Sequence, residues 1–202
     1  MLPAVHTRTI IQNNTATGKM KVEETPLKDC FIIHDTVFED SRGYFFESFN
    51  AKKFEELTGA NPQFVQDNQS ASTRGVLRGL HMQTGGHAQA KLVRVLQGSV
   101  LDVAVDLRKT SPTFGNAFTI ELTAENYKQL YIPRGFAHGF VVLSERAVFF
   151  YKCDNLYNKE SELGIMFDDP DLNIHWQLPK DELILSDKDL KNFYLADILH
   201  RL

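Results

Sequence analysis

The stretch VLDVAVDL, residues 100–107, alternates with a period of two. Side chains of a strand point to opposite faces in turn, so Leu101, Val103, Val105 and Leu107 share one face. Val100, Asp102, Ala104 and Asp106 share the other. Working outward, Gln97-Gly98-Ser99 reads as a tight turn joining this strand to LVRVL at 92–96. The same alternation recurs in FIIHDTVF (31–38), GYFFESF (43–49), AFTIEL (117–122), QLYIP (129–133), GFVVL (139–143) and AVFFYK (147–152). Many short strands at this spacing predict an all-β chain, a double-sheet sandwich or jelly roll with a concave mouth for a small ligand. A few short peripheral helices are expected. One covers residues 51–57, entered through Asn50 and left near Gly59, and another follows Ser186 in SDKDLKNF.

At 202 residues the chain is long enough for one domain with a substantial core. Fifteen Phe and six Tyr against one Trp suit packing on pleated surfaces. A net charge of −4 excludes nucleic-acid binding through a global basic field, so any anionic ligand needs a local cluster of Arg and Lys. No apolar run approaches the ~18–20 residues that cross a bilayer, so no membrane partner is expected. Cys30 and Cys153 are isolated and lack CxxC spacing, which points to the reducing cytoplasm rather than to a disulfide scaffold. Residues 1–19 contain no Asp or Glu and read as a flexible extension, with the domain running from 20 to 202. A transit peptide is the alternative for that extension.

RGVLRGLHMQTGGHAQAKLVRV, residues 74–95, carries the chemistry: His81, His87, Arg78 and Lys91. A metal site on a strand often uses His-x-His, which puts both rings on one face. Here Met82 and Gln83 follow His81, and His87 lies beyond a diglycine. PRGFAHGF supplies His138 in the spacing P-x-G-x-x-H, but the companion His-x-His and Glu are missing. With three ligands needed and only one or two placed, no metal is expected. Acid–base work fits better, because a free histidine titrates near ~6.5 and makes a good base once a partner fixes its ring. Tyr151 and Tyr157 of YKCDNLY are candidate proton donors, and Arg78 and Lys91 suit an oxyanion or a phosphate. Taken singly, each has a duller reading: a strand histidine as a structural hydrogen-bonder, an aromatic in FFYK as core.

In combination the motifs carry more. DSRGYFFESFN (40–50), FVQDNQS (64–70), LRGLHMQ (77–83) and the run QAKLVRVLQGSVLDVAVDLRKTSPTFG (89–115) come first in the chain. LTAENYKQLYIPRGFAHGFVVLSE (122–145), YKCDNLY (151–157), GIMFDDPDLNIHW (164–176) and LSDKDL (185–190) follow. In this order they resemble the dTDP-4-dehydrorhamnose 3,5-epimerases, cupin-like sugar-nucleotide epimerases, over nearly everything from residue 20 to 197.

The resemblance implies a cupin-type jelly roll that works as a homodimer with no cofactor. Its substrate would be a dTDP-4-keto-6-deoxy sugar, dTDP-4-dehydro-6-deoxy-D-glucose, inverted beside its ketone in dTDP-L-rhamnose synthesis. His81 matches the family's base, Asp189 the carboxylate that orients it, Tyr151 the proton donor and Lys91 the lysine near the substrate oxygen. Arg42, Glu47, Gln66, Asp67, Asn68, Arg78, His138, Glu162 and Lys188 match substrate-binding positions, part of them supplied by the neighbouring subunit. Phe45 or a tyrosine such as Tyr157 could stack on the thymine. The chain departs from the family at Leu156, where many relatives have a tyrosine, at Met82, where an aromatic is usual, and at Ala90, where glycine is common. These changes leave open whether one carbon or two are inverted. Two other classes remain: a metal-dependent jelly-roll oxygenase using His81, His87 and His138, and a sugar-nucleotide binding module without catalysis.

Overall fold

The computed structural model describes residues 20–202; the extension expected over residues 1–19 lies outside them. The strands are β1 (Lys21–Glu24), β2 (Phe31–His34), β3 (Phe38–Asp40), β4 (Gly43–Phe45), β5 (Gln66–Thr73), β6 (Leu77–Gln83) and β7 (Lys91–Gln97). They continue with β8 (Ser99–Asp106), β9 (Ala117–Thr123), β10 (Lys128–Ile132), β11 (Phe136–Val142), β12 (Arg146–Cys153) and β13 (Glu162–Gly164). Two antiparallel sheets face each other, one in the order β1-β2-β10-β7-β12-β5 and the other β13-β6-β11-β8-β9. This is the expected double-sheet jelly roll. β3 and β4 form a separate hairpin.

Three apolar layers follow from the alternation. Ile32, Val93, Val95, Val100, Leu122, Leu130, Phe140 and Phe149 meet between the sheets. Leu101, Val103, Val105 and Leu107 turn to the back of the five-stranded sheet, where Ile165, Phe167, Trp176, Leu195 and Ile198 cover them. Ile33, Leu92 and Tyr131 face the back of the six-stranded sheet under Phe54. Both faces of β8 are therefore dry, and Asp102 and Asp106 on its inner face are fully buried. A buried carboxylate must find hydrogen-bond donors. Asp106 takes them from Arg108, Ser111 and Thr113.

The helix after Asn50 forms as α1 (Ala51–Thr58): the Asn50 side chain accepts from the Lys53 N–H, and Gly59 closes it in the left-handed conformation. The segment after Ser186 gives only a single 3₁₀ turn, Asp189–Lys191, and a short α2 (Leu195–Ile198) follows. A longer helix would lift this segment off the chain that follows β13, where a parallel bridge joins Phe193 to Ile165. GYFFESF is a strand only through Phe45. Phe46 turns back under the Arg94 guanidinium and Phe49 packs on Phe54 and Phe64.

The turn at Gly98 is the tightest point between two core strands. Its φ is +74°, and a Cβ there would lie 2.1 Å from the Arg146 carbonyl oxygen. Gly98→Ala is expected to lower the unfolding free energy by about 2–4 kcal/mol in urea titrations. Gly86→Ala, at a position with open space around it, is expected to change it by less than about 0.5 kcal/mol.

Candidate active site

Strand register decides which side chains meet in the mouth, because paired residues point to the same side and alternate along each strand. On β12, Phe149 belongs to the layer between the sheets, so Tyr151 and Cys153 also face inward. Tyr151 is paired with Val93 on β7 and Asn68 on β5; Cys153 is paired with Lys91 and Gln66. On the facing sheet Phe140 is inward, and so is His138 two residues earlier. His138 is paired with His81, and His81 with Gly164, while Glu162 sits opposite Gln83. One open end of the sandwich thus gathers His81, His138, Glu162, Lys91, Tyr151, Gln66 and Asn68.

His81 is held firmly. Its Nε2 lies 2.5 Å from Asp189 Oδ1, and Asp189 is buried while the imidazole keeps 28% of its surface open. The other carboxylate oxygen accepts the Ser186 hydroxyl at 2.8 Å. Burial works to raise the Asp189 pKa, but the bonds from His81 and Ser186 and the charge of Lys188 outweigh it and hold the carboxyl below its ordinary value. Next to this pair, a Cβ on Gly164 would fall 1.9 Å from Asn192 Oδ1, so the Asn192 side chain would have to move.

Around this pair the charges are set by burial. It pushes the Lys91 ammonium down, opposed by Cys153, Asp102 and Glu162. Burial also raises the Tyr151 phenol, so the group keeps its proton at neutral pH. His138 Nε2 donates to Asp102 Oδ2 at 2.9 Å deep in the sheet; its burial lowers its pKa, and the Asp102 charge opposes. At the rim, Glu162 accepts Lys188 Nζ at 2.5 Å and the Tyr157 hydroxyl at 2.8 Å. The Tyr157 N–H donates to Gln66 Oε1 on the opposite sheet. Arg78 reaches Ser72 with its guanidinium, 3.3 Å away.

Other expected residues do not join this cluster within the protomer. Asp67 points to the outer side and pairs with Lys152 at 3.0 Å. Arg42, Phe45 and Glu47 belong to the hairpin and the turn after it, on the outer side of the six-stranded sheet. There Arg42 pairs with Asp40 and Glu47 with Lys53, while Phe45 is 69% exposed. His87 is exposed on a turn and does not converge with His81 and His138. Cys30 and Cys153 are both free and buried.

The family model described as dTDP-4-dehydrorhamnose 3,5-epimerase matches residues 24–197. The chain belongs to the dTDP-4-dehydrorhamnose 3,5-epimerase family. It is 53% identical over 178 residues to the dTDP-4-dehydrorhamnose 3,5-epimerase of Shigella flexneri, an alignment spanning 88% of this chain and 97% of that protein. The crystal structure of the Elizabethkingia anophelis enzyme superposes with a TM-score of 0.86 at 64% identity, over 88% of this chain and 97% of that one. The Legionella pneumophila dTDP-6-deoxy-D-glucose-3,5-epimerase, crystallised in complex with dTDP-4-keto-L-rhamnose, superposes with a TM-score of 0.85 at 49% identity, over 88% and 94%.

For this 3,5-epimerase family member, the sequence reading missed three contributors. Asp102 was visible as an acid inside an apolar strand, the usual sign of a buried polar partnership. Ser186 carried a weaker signal, a hydroxyl three residues before Asp189, the spacing of a local side-chain cap. Gly164 carried none, since its importance lies in a neighbour 28 residues later.

Because the folded Asp189 carboxyl is depressed, its contribution to stability is present above the unfolded value near ~3.9 and lost as pH falls through the folded value. The stability gap between the wild type and Asp189→Asn, read by urea unfolding, is therefore expected to be widest above about pH 4 and to close toward pH 2.

Proposed function

We propose that this protein is a dTDP-4-dehydrorhamnose 3,5-epimerase, which converts dTDP-4-dehydro-6-deoxy-D-glucose to dTDP-4-dehydro-L-rhamnose in the cytoplasm. The observation that carries this reading is the His81–Asp189 pair, whose imidazole opens into a mouth that also receives Lys91 and Tyr151. With Asp189 accepting the Nε2 proton, Nδ1 keeps a lone pair for a substrate C–H. A hydrogen beside the C4 ketone is weakly acidic, and its removal to His81 leaves an enolate with charge on the ketone oxygen. Lys91, in a drier site than water, stabilises that oxygen. Tyr151, still protonated, returns a proton to the carbon from the opposite face, which inverts it. C3 and C5 both flank the ketone, and the same pair of groups serves each carbon in turn once His81 has released its proton to solvent and Tyr151 has taken one back.

His81→Ala is expected to fold normally and to lose roughly 10³-fold or more in kcat, with no deuterium entering the sugar from deuterium oxide by NMR. Retained exchange in that variant would remove the reading. Deuterium at one carbon only in the wild type would reassign the protein as a single-carbon epimerase.

The working unit in this reading is a homodimer. Arg42, Phe45 and Glu47 lie outside their own mouth on a hairpin that exposes Phe38, Tyr44 and Phe45, and from there they would complete the partner's dTDP site. Mixing inactive His81→Ala with Arg42→Ala protein after unfolding and joint refolding is expected to restore activity, because half of the sites in each mixed dimer carry both native residues. No recovery, with dimers present by light scattering, would place Arg42 outside the partner's site.

A further inference from the structure

We infer that Ser186 is a positioning residue for the proton-abstracting pair, acting through Asp189 on His81. The inference rests on the function proposed above. Three contacts carry it. The Ser186 hydroxyl donates to Asp189 Oδ2 at 2.8 Å, while Asp189 Oδ1 lies 2.5 Å from His81 Nε2. The Asp189 N–H returns a bond to Ser186 Oγ at 3.1 Å. Both carboxylate oxygens are thereby fixed, one by the base and one by the serine, and the carboxylate cannot rotate without breaking one of them.

Ser186 is exposed on the surface, and no core cluster includes it. Its hydroxyl is therefore free to serve the carboxylate rather than the packing. It also starts the turn that carries Asp189, since the Leu190 N–H donates to the Ser186 carbonyl. Starting a turn needs only an acceptor, which Asp or Asn supplies as well as Ser. Holding Asp189 needs a donor. The two roles can be separated.

The groups that face His81 are Asp189 and Lys188 from the C-terminal segment, His138 and behind it Asp102 from its own sheet, Glu162 from β13, and Lys91 and Tyr151 from the facing sheet. Among them only Asp189 bonds the imidazole among the described residues. Removing the serine donor leaves the carboxylate more basic, and it then holds the imidazolium form more tightly. A base must be neutral to act, so activity then begins at higher pH.

The test uses the full-length protein and the ketosugar nucleotide in deuterium oxide, with kcat and KM followed over a pH series. Ser186→Ala is expected to lower kcat about tenfold, to leave KM within about twofold, and to move the acidic limb of kcat/KM upward by about half a pH unit. Ser186→Thr, which keeps the donor, is expected to restore both. Ser186→Asp, which can start the turn but cannot donate, is expected to be worse than Ser186→Ala at unchanged folding by circular dichroism. A wild-type kcat and pH profile in Ser186→Ala, with His81→Ala inactive, overturns this inference alone. So does a Ser186→Asp protein as active as wild type. Exchange that survives in His81→Ala overturns the proposed function and this inference with it.

Discussion

The site depends on one contact made across the chain, the bond of Asp189 to His81, 108 residues apart. Neither partner could hold the other without the edge of the five-stranded sheet. β13 pairs with β6 and so sets Gly164 against His81; the segment after Ser186 lies alongside, bridged through Phe193 to Ile165, and the Asn192 side chain takes the room that a Cβ at Gly164 would need. Asn192 fills that gap and donates to the Ile165 carbonyl.

Two kinds of buried charge coexist in the molecule, and they are handled differently. Asp106 sits among Arg108, Ser111 and Thr113, a closed network that satisfies both oxygens and ties the chain near Asp29 to the end of β8. Such a network is structural, because every polar atom is already answered. The inner end of the mouth is left less complete. Asp102 bonds His138 with one oxygen, and its other oxygen is buried without a partner. Lys91 stands in the same region with its charge disfavoured by burial. Incompleteness of this sort is costly in a core.

Much of this was legible in the chain before the structure. The alternation of VLDVAVDL separated Leu101, Val103 and Val105 from Val100 and Ala104, and the structure sorts them into two different layers along that division. The capped helix after Asn50 and the turn at Gly98 were equally plain, because caps and left-handed turns depend on single residues. β5 was not legible. QDNQSAST is polar except for Ala71, and its inward positions are polar rather than part of an apolar layer, so hydrophobic periodicity has nothing to report. β1 and β13 were too short to show a period. The motif resemblance named His81, Lys91, Tyr151, Asp189 and the rim residues. What it could not supply was orientation: Asp67 and Asn68 are neighbours in sequence, yet alternation sends one outward to Lys152 and the other into the mouth.

Tyr157 has a consequence for shape. Its backbone is tied to Gln66 on one sheet and its hydroxyl to Glu162 on the other, so a single residue works as a caliper across the opening. A guest wide enough to spread the two sheets must first release one jaw. The neighbouring Leu156 projects into solvent and adds no third point of attachment. The two sheets are thus coupled at the rim through one exposed side chain, apart from the buried groups on the floor.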